Sequence, residues 1–429
     1  MSILIHNCTA VLMDEAGTVL PNAYVVVEGT KIRSVSTQRP WGSFEEQIDG
    51  RGNVLMPGFV NAHSHVPMTA MRGYGDGNNL QDWLHNYIFP VEARWDDRAI
   101  RACTDLGLAE MIASGTTCIA DMYMHTGAVA RMVLESGVSA NLSCGGGYFG
   151  APEDFSPDAC GDCRNQIALT EEWNGVGDGQ IKVDASIHAE YTSNPSLWQW
   201  MAGYAAEHGL GMHVHVSETR SEHESCLQKY GKTPVAMLDQ YGVWVNGGTA
   251  AHCVWVSDAD MELMVQRNIT AVHNPVSNLK LASGAARVPR LLERGVNVAL
   301  GTDGVASNNS HDLFEEIKLA AILHKGVGLD PEAVTAQRAL RRNTGVIAPG
   351  KTADLILVDL AAPNLFPCHD VEEDLVYSAR GSNVVMNMAR GRVIYEKGEF
   401  FTLDLEKIRA EVESYALPRI FGSVRGGGA

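Results

Sequence analysis

No stretch of the chain comes near the roughly 20 consecutive apolar residues of a membrane-spanning helix, so none is expected to cross a bilayer. The first residues, Met1-Ser2-Ile3-Leu4-Ile5-His6, lack the basic flank and long apolar core of a signal peptide. A cytoplasmic protein is therefore expected. Basic residues are scarce: 33 Lys and Arg stand against 51 Asp and Glu, a formal net charge of −18. That balance argues against nucleic acid and membrane surfaces as partners and leaves small neutral or cationic molecules. A disulfide or zinc framework of paired cysteines is also missing. The nine cysteines are odd in number and scattered, as in a reduced cytosolic protein. Cys160 and Cys163 have zinc or redox spacing, but no second pair accompanies them. Pro152, Pro157 and Gly161 make their surroundings read as a loop, and a structural role is expected there.

What is present suggests one large domain and a smaller one. Residues 1–55 alternate apolar and polar, as in Ala23-Tyr-Val-Val-Val-Glu-Gly, with Gly17 and Gly29 as punctuation. Similar text returns at Ala353-Asp-Leu-Ile-Leu-Val-Asp and from Asn383 to Tyr395. These are expected to be two parts of one small β-sandwich, 1–55 and 346–405, followed by a C-terminal helix and tail over 406–429. The middle, 56–345, holds eight apolar runs with strand character: 59–63, 117–121, 139–143, 181–187, 210–215, 248–252, 269–273 and 296–301. Helical spacing fills gaps between them, as at Ala99–Ser114, Ser196–His208, Pro234–Tyr241 and Asp258–Arg267. The fold class is therefore α/β, with a (β/α)8 TIM barrel at its centre.

Polar groups fall at the C-terminal ends of these strands, the face where such barrels keep their active sites. They are His63 and His65, Asp121, His188, His213 and His215, His252, His273 with Asn274, and Asp303. One histidine at a strand end is usually a satisfied hydrogen-bonding group. Histidines at five of the eight ends are harder to dismiss. His63 and His65, two apart on a strand, share a face and can supply half of a four-ligand zinc site. Either His213 or His215 could reach the same centre, and Glu218 follows where that strand gives way to a loop. Gly301 and Gly304 let the backbone approach closely around Asp303. The competing role for Asp303 is capping the helix expected near Asn309-Ser310-His311-Asp312.

His63-Ser-His65 after Pro57-Gly58-Phe59, His215-x-x-Glu218, Ala251-His252-Cys253, Ser277–Gly284 and Gly301-Thr302-Asp303-Gly304 stand in order along the chain. With them the sequence resembles the amidohydrolase superfamily from about residue 5 to about residue 400. Within it the 5-methylthioadenosine/S-adenosylhomocysteine deaminases are the nearest branch, with chlorotriazine hydrolases and guanine deaminases as neighbours. The resemblance implies metal ligation by His63, His65, His215 and Asp303. It makes Glu218 a proton shuttle and sets His252 beside the reacting water. It places His188 and Glu92 against the substrate, with Glu92 on the ribose diol and Trp83 in a loop that closes over it. His213 matches no ligand and reads as supporting. The substrate implied is an adenine nucleoside: 5′-methylthioadenosine, S-adenosylhomocysteine, adenosine or 5′-deoxyadenosine.

The chemistry fits. Zinc brings the pKa of a bound water to about 7. A carboxylate such as Glu218 can take a proton from the water and pass it to the ring, and Asp303 can both ligate and accept a proton. No lysine or carboxylate stands at the tip of strand four to bridge two ions, so one zinc per chain is expected, with iron or manganese as alternatives. A small nucleoside and further copies of the chain in a homo-oligomer are the expected partners. The other zinc-deaminase pattern, His-x-Glu followed by Pro-Cys-x-x-Cys, is not met: His188-Ala-Glu190 follows Cys160–Cys163, and Ala159 replaces the proline. Two rivals stay open: another ring hydrolase acting on guanine, a pterin or a chlorotriazine, and a non-catalytic metal-binding barrel.

Two features depart from the relatives. The text from Ala336 to Gly350 is about ten residues short, so the last barrel helix is expected to be truncated or displaced. Between Ser139 and Gln180 one basic residue, Arg164, stands among Glu153, Asp154, Asp158 and Asp162, where relatives that accept S-adenosylhomocysteine carry arginines. Arg164 is the candidate for a substrate carboxylate. Tyr148, Phe149 and Phe155 are expected to shape the 5′ end of the site.

Overall fold

The computed structural model describes residues 2–342 and 344–422. The strands of the first part are β1 (Ser2–Val11), β2 (Val19–Glu28), β3 (Lys31–Ser36), β4 (Glu46–Asp49) and β5 (Asn53–Pro57). Those of the middle are β6 (Phe59–Ser64), β7 (Thr116–Met122), β8 (Ser139–Ser143), β9 (Ile181–Val183), β10 (Ala185–Ala189), β11 (Met212–Val216), β12 (Gly248–His252), β13 (Ile269–His273) and β14 (Val298–Leu300). The last are β15 (Leu355–Asp359), β16 (Val384–Ala389), β17 (Arg392–Glu396) and β18 (Glu399–Phe400).

Strands from both ends of the chain join one nine-stranded sheet, ordered β18-β17-β16-β15-β5-β1-β2-β3, with β4 also on β1. The junction between the ends is β5 against β15, antiparallel from Asn53–Asp359 to Pro57–Leu355. Ile3, Ile5, Val25 and Leu55 from one end pack in one core with Leu355, Leu357, Met386 and Met388 from the other. Burying that shared apolar face is what holds the distant segments together.

The middle strands form two parallel sheets, β6-β7-β8-β9 and β10-β11-β12-β13-β14. The apolar run at 181–187 is not one strand. It breaks at Asp184, whose carboxylate accepts the Asn141 Nδ2 at 2.6 Å while its N–H donates to Leu142 O at 3.0 Å. The residues before it pair with β8 and those after it with β11. Isolated bridges also link the sheets, Gly146 with Ile187 and Ser64 with Asp303. Next to the second bridge, a Cβ on Gly301 would lie 2.7 Å from His63 O and 2.6 Å from Asn274 Oδ1. Only glycine fits, and the strand-eight end is thereby brought against the strand-one histidines.

The expected helices are present as Asp97–Ala113, Pro195–His208, Pro234–Gln240 and Asp258–Gln266. Each starts at a side-chain cap, respectively Asp96, Asn194, Thr233 and Ser257. The shortening expected over Ala336–Gly350 falls within that stretch, and the helix before it is whole. Helix Leu313–Gly328 is complete at 16 residues, burying Leu313, Phe314, Ile317, Ala320 and Ala321. The short element is the next one, Ala336–Leu340, of 5 residues. The C-terminal helical segment Leu405–Phe421 buries Ile408, Val412, Ala416 and Ile420, and Tyr415 Oη donates to Asp96 Oδ2 at 2.7 Å. Of the helix and tail expected over 406–429, residues 423–429 lie outside the described residues. No described helix is long and apolar enough to cross a membrane.

Candidate metal centre and active site

Three imidazoles and a carboxylate converge where β6, β11 and the end of β14 meet. His65 Nδ1–H donates to the carbonyl of Met122, and His215 Nδ1–H donates to His188 O at 2.7 Å. These acceptors leave the Nε2 lone pair of each ring facing inward, the usual way an outer carbonyl fixes a ligating tautomer. The two Nε2 atoms are 3.3 Å apart. His63 is fully buried, with Nδ1 2.9 Å from His213 Nε2. Its Nε2 is buried without a hydrogen-bond partner, 3.4 Å from Asp303 Oδ1, and His65 Nε2 lies 3.2 Å from the same oxygen. His63, His65 and Asp303, and likewise His63, His215 and His252, offer ligand atoms within 4.8 Å of one another. An orphaned inward nitrogen beside a carboxylate is the donor set that a divalent cation satisfies.

The electrostatics agree. Burial pushes His63 down to about 3 and His215 well below the usual histidine range, so both rings are neutral donors. Burial would raise Asp303, but His63 and His65 hold it well below the usual carboxylate range. Burial would lower His65, but Asp303 lifts it to about 9. A metal ion at this point would take His65 in its neutral form, in place of a proton on Nε2. Asp303 does not cap the following helix; Asp312 does, accepting Phe314 N at 3.0 Å. The other oxygen of Asp303 accepts Ser277 Oγ at 2.6 Å and Ser307 Oγ at 2.8 Å, which fixes the carboxylate plane.

Glu218 and His252 flank this cluster, with Glu218 Oε2 3.6 Å from His252 Nε2. His252 Nδ1 faces Asn278 Oδ1 at 2.8 Å, and Ser283 Oγ donates to Glu218 Oε1 at 3.3 Å. Burial raises the Glu218 carboxyl, which suits a group that takes and returns a proton. Ser217, His252 and Asp303 all have positive φ, at 49°, 73° and 59°. Left-handed backbone at non-glycine residues is costly, and here it gathers around one site.

A cavity of about 290 Å³ opens from the cluster and is lined by His65, His188, His215, Glu218, His252 and Asp303 at one part of its wall. Trp83 and Glu92 also line it. Trp83 is buried at the end of the short helix Leu80–Trp83 rather than in a loop, with Nε1 3.4 Å from Tyr74 O. Glu92 ends helix Phe89–Glu92, and burial raises its carboxyl. His188 Nδ1 lies 3.0 Å from Thr192 Oγ1. His213 supports His63 and meets Ser143 Oγ at 3.2 Å, as expected of a non-ligand.

Several expectations are not brought together here. Arg164 is exposed, donates to the Asp158 carbonyl and does not line the cavity; its helix neighbour Asp162 does. Of the three aromatic residues expected at the 5′ end, only Phe149 lines the cavity, while Tyr148 and Phe155 stack edge-on at 5.1 Å. Asp121 serves the backbone after His65, accepting Val66 N at 2.7 Å. Cys160 and Cys163 are buried and free, and Cys163 lies in helix Gly161–Trp173 rather than a loop. The sequence reading missed Tyr123, Tyr191 and Asp162 on the wall, and Ser277, Asn278 and Ser283 as partners. The motif Ser277–Gly284 was the signal for the last three.

Comparison with known proteins points the same way. The amidohydrolase family model matches residues 54–394. A 5-methylthioadenosine/S-adenosylhomocysteine deaminase of Dictyoglomus thermophilum is 38% identical over 98% of this chain and 99% of the relative. A 5′-deoxyadenosine deaminase of Methanosarcina acetivorans is 39% identical over 96% of this chain and 97% of the relative. The crystal structure of a zinc-bound adenosine deaminase from Xanthomonas campestris superposes with a TM-score of 0.91 at 31% identity, covering 98% of both chains. The resemblance read from the five motifs therefore holds over nearly the whole length, and the chain belongs to the amidohydrolase family.

Proposed function

We propose that this chain is a zinc-dependent aminohydrolase that replaces the C6 amine of an adenine nucleoside by oxygen, releasing ammonia and an inosine analogue. The substrates in view are 5′-methylthioadenosine, adenosine, 5′-deoxyadenosine and S-adenosylhomocysteine. The observation that carries this reading is Glu218 beside His252 and Asp303 at the mouth of an inward-facing histidine cluster. Relatives named as deaminases of such nucleosides, similar over almost their full length, support it.

His63, His65, His215 and Asp303 would hold one ion, with iron or manganese as alternatives to zinc. Bound there, the ion supplies a Lewis acid that makes hydroxide available near neutral pH. Glu218 takes a proton from the attacking water and delivers it to N1 of the purine, which removes aromatic character from the ring as C6 is attacked. His252, its ring oriented by Asn278, donates a hydrogen bond to the oxygen developing at C6. Asp303 accepts the remaining hydroxyl proton, which then leaves with the amine. Glu92 accepts the ribose diol hydrogens, and Trp83 and His188 enclose the nucleoside.

The parallel sheets read best as one (β/α)8 barrel over 56–345, supported by the bridges Ser64–Asp303 and Gly146–Ile187. The sheet built from 1–55 and 346–405 reads as a β-sandwich. Ammonia release from a panel of adenosines, guanine, a pterin and a chlorotriazine tests the activity. Turnover of any of the last three with none of the adenosines would overturn it.

A further inference from the structure

We propose that Asp162 sets the charge preference of the cavity, admitting nucleosides with a neutral or cationic 5′ group and disfavouring those whose 5′ group carries a carboxylate. This rests on the reading of the cavity as an adenine-nucleoside site. Among the described residues the lining contains four carboxylates, Glu92, Asp162, Glu218 and Asp303, and neither lysine nor arginine. Glu218 and Asp303 belong to the reacting end. With C6 held there, the sugar and its 5′ substituent occupy the remainder, where Glu92 and Asp162 are the acids.

Asp162 is held in place. Its Oδ2 accepts the Gly147 N–H at 2.9 Å, and it sits in the first turn of helix Gly161–Trp173. Cys144, Gly145, Gly147 and Phe149 also line the cavity. A side chain on Gly147 would crowd Thr192 O, at 3.2 Å from its Cβ, so the backbone here stays close to Thr192. Among the described residues no cation compensates. Arg164 faces solvent and is engaged by Asp158 O. Arg101 and Arg131 line a separate cavity that shares only Met124 with this one. An entering carboxylate would lose its water and meet a like charge without a partner, whereas an ammonium or a thioether would not.

The test compares kcat/KM for 5′-deoxyadenosine, 5′-amino-5′-deoxyadenosine and adenosine-5′-carboxylate in the wild type, Asp162→Asn and Asp162→Glu. Work at pH 8 minimises the effect of burial on the carboxyl, which raises its pKa. Asparagine keeps an oxygen for the Gly147 N–H, and glutamate keeps the charge. The carboxylate should be used roughly tenfold or more less well than 5′-deoxyadenosine by the wild type. Asp162→Asn should narrow that ratio about tenfold and weaken the relative use of the amine, while Asp162→Glu keeps the wild-type order. Ratios that Asp162→Asn leaves within about twofold overturn the proposal while deamination itself stands. Equal use of carboxylate and neutral substrate by the wild type does the same. Absence of ammonia from every adenosine overturns this inference and the deaminase reading together.

Discussion

The carboxylate of Glu222 holds Glu218 by its backbone: Oε2 accepts the Glu218 N–H at 2.7 Å, and Oε1 accepts the Ser217 N–H at 2.7 Å. Glu222 is also the third helical residue, the far end of the capping box that opens helix Arg220–Tyr230 from Thr219. One buried side chain thus caps a helix and pins the left-handed turn at Ser217 that aims Glu218 into the cavity. Glu222→Gln leaves one oxygen for two N–H donors. It should lower the melting temperature and reduce kcat roughly tenfold to a hundredfold, through misplacement of Glu218. KM and metal content should change little. A fall in metal content matching the fall in kcat would instead place Glu222 in support of the cluster.

Glu218→Gln removes the proton-accepting group itself and keeps its size. Turnover of the best adenosine should fall by about 10²–10⁴-fold, the usual worth of a general acid/base group. Bound metal, measured by elemental analysis, should remain at wild-type content, and the substrate should still bind. Near-normal turnover would mean that another group carries the proton.

His63→Ala removes Nε2, a buried nitrogen without a hydrogen-bond partner among the described residues. It should lower both the metal content and the rate, and added zinc should restore little of either. Chelation of the wild type followed by zinc should restore activity. Full metal occupancy in the variant would remove His63 from the ligand set.

The sequence exposed the centre of this site well because its logic is local. His63 and His65 share a strand face, and strand-end periodicity carries the other donors with them. What stayed hidden depends on contacts between distant segments. Nothing in the apolar run 181–187 marks Asp184 as the break between two sheets, since the break comes from Asn141 and Leu142 across the strand. Arg164 and Asp162 are two residues apart on a helix, so they face different directions, and charge counting along the loop could not tell which would meet the cavity. The reach of Glu222 back to Ser217 and Glu218 likewise depends on the turn between them.

Asp105, on helix Asp97–Ala113 and away from the cavity, gives a stability prediction with a definite sign. Burial, with a smaller contribution from Glu135, lifts its carboxyl from 3.8 to about 7, against the pull of Lys407 on the C-terminal helix. The folded state therefore holds this proton more tightly than the unfolded chain. A raised pKa contributes stability that is complete below about pH 4 and lost as the pH rises through about 7. Asp105→Asn imitates the protonated form at every pH. The variant and wild type should melt together near pH 4, and the variant should melt progressively higher between pH 4 and 7, with a constant gap above that. Thermal melts at pH 4, 5.5, 7 and 8.5 measure the gap. A gap that does not open across this window, or one in which the wild type melts higher at pH 8.5, would show that Asp105 is ionised in the folded protein with a compensating partner.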